Sequence, residues 1–375
     1  MSKGDPISGE NFSKEQHAVL DSIRMSRIIL PVFIGIVAVF YLLWRQFDPA
    51  EFASINWTFH TNLWIGIAII FVISKHLSYA LRLRILSEGA FSWRKCIELI
   101  FIWEFSSAVS PTAVGGSAVA FFVLAQEKLS TARTATIVLY TVVLDGLFFI
   151  GSLPLLYLWF GSNMIRPGVE ELSDIGGWGY YFVFAYSLMA VYSGLFYYGI
   201  FIDPRQIQRA LTWVTRLRLL RRFHEKAVQL GGDMVLASAD LKNKSWGFHI
   251  KAFLATAMAW SSRFLILNSL IIGFILALPT DFFTQFELFA RLEAMFVIIA
   301  FSPTPGGAGF VEILFGGFLT DYVDNPTYAT VISTIWRLIA YYAYLLAGVI
   351  IIPNWLRKVV NERRQRRQAE DQSSS

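Results

Sequence analysis

The sequence predicts an all-α polytopic membrane protein with six transmembrane helices plus two re-entrant helical hairpins in an inverted repeat. Three observations predict it. The 375-residue chain is 55% hydrophobic and only 16% charged, with a mean hydropathy of +0.52. That is too little charge to clothe a water-soluble domain of this length. Its apolar residues fall into runs long enough to cross a bilayer. Two further apolar regions are interrupted by near-identical Pro/Gly motifs, Ser110-Pro111-Thr112-Ala113-Val114-Gly115-Gly116 and Ser302-Pro303-Thr304-Pro305-Gly306-Gly307.

The spanning runs are 27–44, 62–81, 135–160, 179–202, 250–278 and 328–352. Each matches the roughly 20 residues needed to cross about 30 Å of hydrocarbon. The interrupted regions are 96–125 and 288–319. Each half of such a region would make a helix of about 22 Å, too short to cross. Pro and Gly break helices, and a break at membrane depth is tolerated only inside protein or beside a cavity. A hairpin of two half-helices therefore fits each region. The order helix, broken hairpin, helix covers 62–160 and then 250–352. Ala135-Thr136-Ile137-Val138 also resembles Ala329-Thr330-Val331-Ile332. The two units start on opposite sides of the membrane, which defines an inverted-topology repeat.

Charge sets the orientation. The segment 203–249 carries Arg205, Arg209, Arg216, Arg218, Arg221, Arg222, Lys226, Lys242 and Lys244 against Asp203, Glu225, Asp233 and Asp240. The basic tail 356–375 holds Arg357, Lys358, Arg363, Arg364, Arg366 and Arg367. Segments 161–178, 279–287 and 320–327 lean acidic. The positive-inside rule places the basic segments and both termini in the cytoplasm. The loop 82–95, with Arg82, Arg84, Arg94 and Lys95, then feeds the first hairpin from the cytoplasm. The acidic loop 279–287 feeds the second from outside. Within 203–249, Ile207, Leu211, Val214 and Leu217 recur at helical spacing among arginines, as in an amphipathic helix lying on a membrane. Residues 1–26 form a polar cytoplasmic segment without the pattern of a cleaved leader. Residues 1–20 and 368–375 read as irregular. The basic runs flank membrane helices, so anionic headgroups rather than nucleic acid are their partners.

The candidate site is built from the breaks and from ions inside apolar runs. The second half-helix of each hairpin begins with unpaired N–H groups and the positive end of its dipole. Gly115, Gly116, Gly306, Gly307 and Gly309 would let an anion approach that backbone; the plainer reading is close helix packing. Intramembrane ions default to functional residues. Arg263 and Arg337 are candidates for binding an anion. Glu104, Asp145 and Glu312 are candidates for charge pairing or proton coupling. Arg291, Glu293, Lys75 and His76 lie in the same apolar runs, with Lys75 expected to snorkel from a helix end. The plainer reading again is that such ions pair and hold the bundle together. Cys96 is the sole cysteine and reads as a packing residue. Ser110 and Ser302 read as turn or cap residues. The sequence shows no catalytic motif, metal-ligand spacing, nucleotide loop or cofactor fingerprint.

Leu81-Arg82-Leu83-Arg84-Ile85-Leu86, the Ser-Pro-Thr and Gly-Gly break, Asp145, and Ser302-Pro303-Thr304-Pro305-Gly306-Gly307-Ala308-Gly309-Phe310-Val311-Glu312 together resemble the flippase-like family. That family is also called the lysylphosphatidylglycerol synthase transmembrane region. The resemblance covers roughly 25–355. The domain 27–355 is thus expected to be a flippase-like unit in the cell (inner) membrane. The resemblance implies translocation of an anionic or aminoacylated phospholipid, or another lipid-linked phosphate, between leaflets. The alternative is an intramembrane enzyme or subunit in phospholipid headgroup modification; a non-transporting scaffold is a third reading. Bifunctional members carry a soluble synthase domain that this sequence lacks, so the resemblance does not imply aminoacyl transfer. Thr141 and Val142 stand where many members have a Glu-Arg pair. Expected partners are membrane phospholipids, a lipid-modifying enzyme and a second copy of the chain.

Overall fold

Short polar residues set the helix starts. Thr58, Ser130, Ser245, Asp281 and Asn325 each stand in extended backbone and accept a hydrogen bond from an N–H two or three residues on. These caps satisfy donors that the helix itself cannot. The computed structural model describes residues 49–53, 55, 57–109, 113–127, 129–165, 176–217, 221–301, 315 and 317–373. The expected first span, 27–44, lies outside them.

The described elements are helical. In chain order they are α1 (Pro49–Ala53), α2 (Phe59–Leu86), α3 (Trp93–Val109), α4 (Ala113–Gln126), α5 (Thr131–Phe160), α6 (Gly176–Tyr197), α7 (Pro204–Val214), α8 (His224–Leu241), α9 (Trp246–Phe274), α10 (Phe282–Ala300), α11 (Pro326–Arg337) and α12 (Ala343–Ser373). A π turn, Tyr198–Ile202, follows α6, and another, Leu338–Tyr342, joins α11 to α12. Among the described residues, five stretches are long and apolar enough to cross a membrane: Phe59–Leu86, Thr131–Met164, Gly179–Ile202, Trp246–Phe274 and Pro326–Val359. Each overlaps an expected span. Their outward faces carry Ile70, Leu155, Leu158, Phe184 and Ile350, all exposed. That pattern suits lipid, not water.

α2 and α9 form the most extensively packed pair. They run antiparallel. His60 Nε2 meets Ile272 O at 3.1 Å near one end. Ser74 and Ser262 hydroxyls meet at 2.9 Å in the middle. Arg82 donates to Thr256 Oγ1 at 3.3 Å toward the other end. Two small residues permit other close approaches. A Cβ at Gly146 would fall 2.3 Å from Ser193 Cβ, and one at Gly348 would fall 2.2 Å from the Phe105 ring.

α3 and α4 pack on each other around residues 110–112, which lie outside the described set. Lys95 near the start of α3 meets Glu127 just after α4 at 2.7 Å. The indole of Trp355 on α12 donates to the same carboxylate at 2.6 Å. The two ends of this helical hairpin therefore lie together. A similar tie joins α10 to the segment after 315. Arg291 on α10 donates to Asp321 and, at 3.5 Å, to the Phe318 carbonyl.

Two expectations need correction. Residues 82–86 are not loop: α2 continues to Leu86, and Arg82 is buried on it. The chain turns only at Glu88 and Gly89, both with positive φ. Gly89 N–H caps the Arg84 carbonyl at 2.9 Å, a left-handed helix end that suits glycine. The tail is not irregular from 368 either; α12 extends to Ser373. Gln368, Ala369, Glu370 and Gln372 in that stretch all favour helix.

Outside the apolar spans, Glu88 receives Lys244 at 2.6 Å and Arg133 at 2.5 Å. The Lys244 hydrogen bond, with Arg133 beside it, holds the Glu88 carboxyl below the usual carboxylate range. A depressed carboxylate stabilises the fold above its unfolded value of about 4.3 and loses that stabilisation as pH falls through its folded value. The pair is solvent-screened, so Glu88→Gln should cost less than about 1 kcal/mol and should flatten the acid limb of a thermal-midpoint profile below about pH 4.3. At the Gly348 contact, Gly348→Ala should destabilise by about 1–3 kcal/mol through overpacking. Adding Phe105→Leu should recover part of that loss in detergent thermal unfolding.

Candidate functional site

A lysine or arginine within an apolar span is stable only with a partner, because hydrocarbon supplies none. α2 carries Lys75, α9 carries Arg263, and α3 supplies the acid that joins them. Lys75 Nζ donates to Glu104 Oε2 at 2.7 Å. Arg263 Nη2 lies 3.3 Å from both Glu104 oxygens. Lys75 is 2% exposed. It is not a snorkelling residue: the side chain ends on Glu104 within the bundle. Aromatic faces complete the surroundings. Lys75 Nζ sits 4.3 Å from the Tyr344 ring centroid, and the Arg263 guanidinium sits 4.8 Å from that of Trp260. Such faces attract cations where water is scarce.

These groups line a cavity of about 200 Å³. Its walls come from α2 (Lys75), α3 (Glu104, Ser107, Ala108), α9 (Arg263), α10 (Phe296, Ile299), α11 (Trp336, Arg337) and the turn and helix beyond (Ala340, Tyr341, Tyr344). Among the described residues, the charged members of the lining are Lys75, Arg263, Arg337 and Glu104. The Trp336 indole N–H is buried and has no hydrogen-bond partner among the described residues. An unpaired buried donor is costly, and beside a cavity it is available to an acceptor in that cavity. Phe296 packs edge-on against Trp336 at 5.9 Å. Volume, basic side chains and an open donor suit a small anionic group such as a phosphate.

Two further ion networks flank the cavity. Asp145 on α5 accepts from Arg82 at 2.5 Å and from the Trp260 indole at 2.9 Å. Arg291 on α10, 1% exposed, donates to Asp321, to the Asn163 carbonyl at 2.7 Å and to Glu287 at 3.3 Å. It lies 4.9 Å from the Tyr322 ring centroid. Arg291 therefore ties α10 to the turn after α5 and to the segment before α11.

Of the residues singled out in the sequence, the fold brings Arg263, Arg337 and Glu104 to one cavity. Asp145 goes to the separate Arg82 network. Gly115 and Gly116 lie in the first turn of α4. Gly306, Gly307, Gly309 and Glu312 lie outside the described residues. Sequence reasoning missed the parts played by Lys75, Trp336, Tyr344 and Arg82. A signal for Lys75 was present: Ser74-Lys75 and Ser262-Arg263 occupy matching positions from the starts of the two expected repeat units, 62 and 250.

The ionic centre has a direct consequence for stability. Glu104→Gln leaves the buried Lys75 and the half-buried Arg263 facing each other and should cost about 3 kcal/mol in detergent unfolding. Combining it with Lys75→Met removes one of those cations and should recover part of the loss, a coupling that a double-mutant cycle measures.

Comparison with known proteins follows this geometry. A family model described as Lysylphosphatidylglycerol synthase TM region matches residues 28–348. A protein of Archaeoglobus fulgidus named UPF0104 membrane protein is 23% identical over 309 residues, covering 79% of this chain and 86% of the relative. No solved structure matches.

Proposed function

The chain belongs to the Lysylphosphatidylglycerol synthase TM region family, and on that premise we propose that it moves a phosphate-bearing lipid headgroup between membrane leaflets. One observation carries this reading: an aromatic-walled cavity lined by basic side chains, with a buried Trp336 indole N–H that has no hydrogen-bond partner among the described residues. The headgroup phosphate enters that cavity while the acyl chains stay in lipid. Arg263 and Arg337 bind it, with Lys75 adding charge. An arriving anion competes with Glu104 for Lys75 and Arg263. Glu104 then becomes free to meet an ammonium group on an aminoacylated headgroup. Binding and rearrangement of the centre are thereby one event, since the same cations serve both partners.

The proposed topology has six crossings, with α3–α4 and the α10 segment as re-entrant hairpins of an inverted repeat. Supporting this are the joined ends of each hairpin and the antiparallel pairing of α2 with α9, whose Ser-Lys and Ser-Arg dipeptides meet at mid-length. In such transporters, half-helix termini face the substrate near the midplane. Here Gly115 and Gly116 on α4 and the 306–312 segment would occupy that place. Both termini would lie in the cytoplasm and the chain in the cell membrane.

The test uses purified protein in proteoliposomes, fluorescent phospholipids of different headgroups and a bilayer-impermeant quencher. Exchange should favour anionic headgroups. Arg337→Ala should slow it about 10–100-fold, the worth of one charge-assisted hydrogen bond to the headgroup. Equal exchange of anionic and zwitterionic lipids, unchanged in folded Arg337→Ala protein, would sink this reading.

A further inference from the structure

Glu293 is the buried acid that none of the ion networks above uses. It lies on α10 and is 0% exposed. Its Oε1 touches the Ser152 hydroxyl of α5, and its Oε2 is buried with no hydrogen-bond partner. No salt bridge reaches it among the described residues, whereas Glu104 and Asp145 each hold a cation.

Among the described residues, the surroundings offer no compensating charge. On α5, Ser152 touches Glu293, while Asp145 is engaged by Arg82 and Trp260. On α6, the titratable neighbour is Tyr186, whose hydroxyl donates to the Ile150 carbonyl at 3.4 Å. The turn Gly161–Met164 contributes no ionisable side chain. On α9, Arg263 is committed to Glu104. On α10 itself, Arg291 is spent on Asp321 and Glu287, and Glu287 accepts from it. A lone carboxylate in such a place costs far more than a neutral acid.

Hydrogen counting points the same way. The Ser152 hydroxyl lies 2.7 Å from the Phe148 carbonyl and also against Glu293. A hydroxyl has one hydrogen to donate. If it bonds back to Phe148, as helical serines do, it can only accept from Glu293. The contact is then a hydrogen bond only if Glu293 carries the proton.

α10 links this acid to the cavity. Phe296, one turn beyond Glu293 on the same side of the helix, and Ile299, another turn on, both line it. We propose that Glu293 is a proton-binding site coupled through α10 to the anion in the cavity. The carboxylate takes up one proton from water when α10 packs against Ser152. It returns that proton when α10 shifts and the site is hydrated. The proton site stands on the contacts of Glu293 alone; its link to the headgroup rests on the function proposed above.

Infrared spectroscopy of the full chain in vesicles tests both parts. Wild-type protein in phosphatidylcholine at neutral pH should show the carbonyl stretch of a protonated carboxylic acid. Glu293→Gln, which keeps the shape, should lose that band. Ser152→Ala should keep it but move its frequency, because the acid loses a hydrogen-bond partner; this variant also reads the site if Glu293→Gln does not fold. With phosphatidylglycerol, the band should persist to a pH about one unit higher, the shift given by a tenfold linkage between proton and anion. No band at neutral pH, or a band indifferent to both substitutions, would overturn the proton site. A band that is lost in Glu293→Gln but ignores the headgroup would overturn the coupling. Lipid exchange is read separately: its failure alongside a headgroup-sensitive band would remove the translocation reading and leave the proton site standing.

Discussion

The carboxylate of Glu104 between Lys75 and Arg263 is the constraint on which the bundle depends. Two consecutive helices and a third far along the chain each bring a charge that hydrocarbon would not accept alone. Their mutual satisfaction fixes α2, α3 and α9 in one register. A slip of any of these helices would separate the ions and leave a charge buried without a partner, a cost comparable to the whole stability of an ordinary domain. The aromatic faces of Tyr344 and Trp260 extend this restraint to α12 and to the Asp145 network.

The other polar contacts repeat that logic toward the two ends of the bundle. Arg82 with Asp145 joins α2 to α5, and Arg291 gathers α10, the turn after α5 and the segment before α11. Between these networks, apolar packing supplies area but little directional preference, because lipid is as apolar as leucine. Ion pairs and close contacts at Gly146 and Gly348 therefore decide which helix faces which. The same feature makes the centre chemically responsive. In the function proposed above, an anion entering the cavity meets the groups that hold the helices together. Glu293, outside every ion pair among the described residues, is the contrasting element, and the proton site proposed above ties its charge to the position of α10.

Much of the architecture was legible from the chain. Apolar length defines a span almost by itself, since every backbone group in lipid must bond within its own helix. The stretches around 62–81, 135–160, 179–202, 250–278 and 328–352 accordingly reappear as helices long enough to cross. The broken region 96–125 reappears as α3 and α4, on either side of residues 110–112. Boundaries were less legible. Arg82 and Arg84 resembled loop residues by charge, yet α2 runs through them because Asp145 and the Phe91 carbonyl receive their guanidinium groups.

The sequence by itself determined the membrane class, the helical runs, the family and the list of ions that must find partners. Only the tertiary structure decided the pairing. Lys75, which reads as a snorkelling residue, turns inward to Glu104; Asp145 goes to Arg82; and Arg263 meets Trp336 and Arg337 at one cavity although it lies far from them in the chain. The physical reason is that hydropathy is a property of each segment, whereas a buried charge is satisfied only across segments. Which acid meets which base, and which acid is left with only a serine, depends on helix facing and register, and these exist only once the bundle has packed.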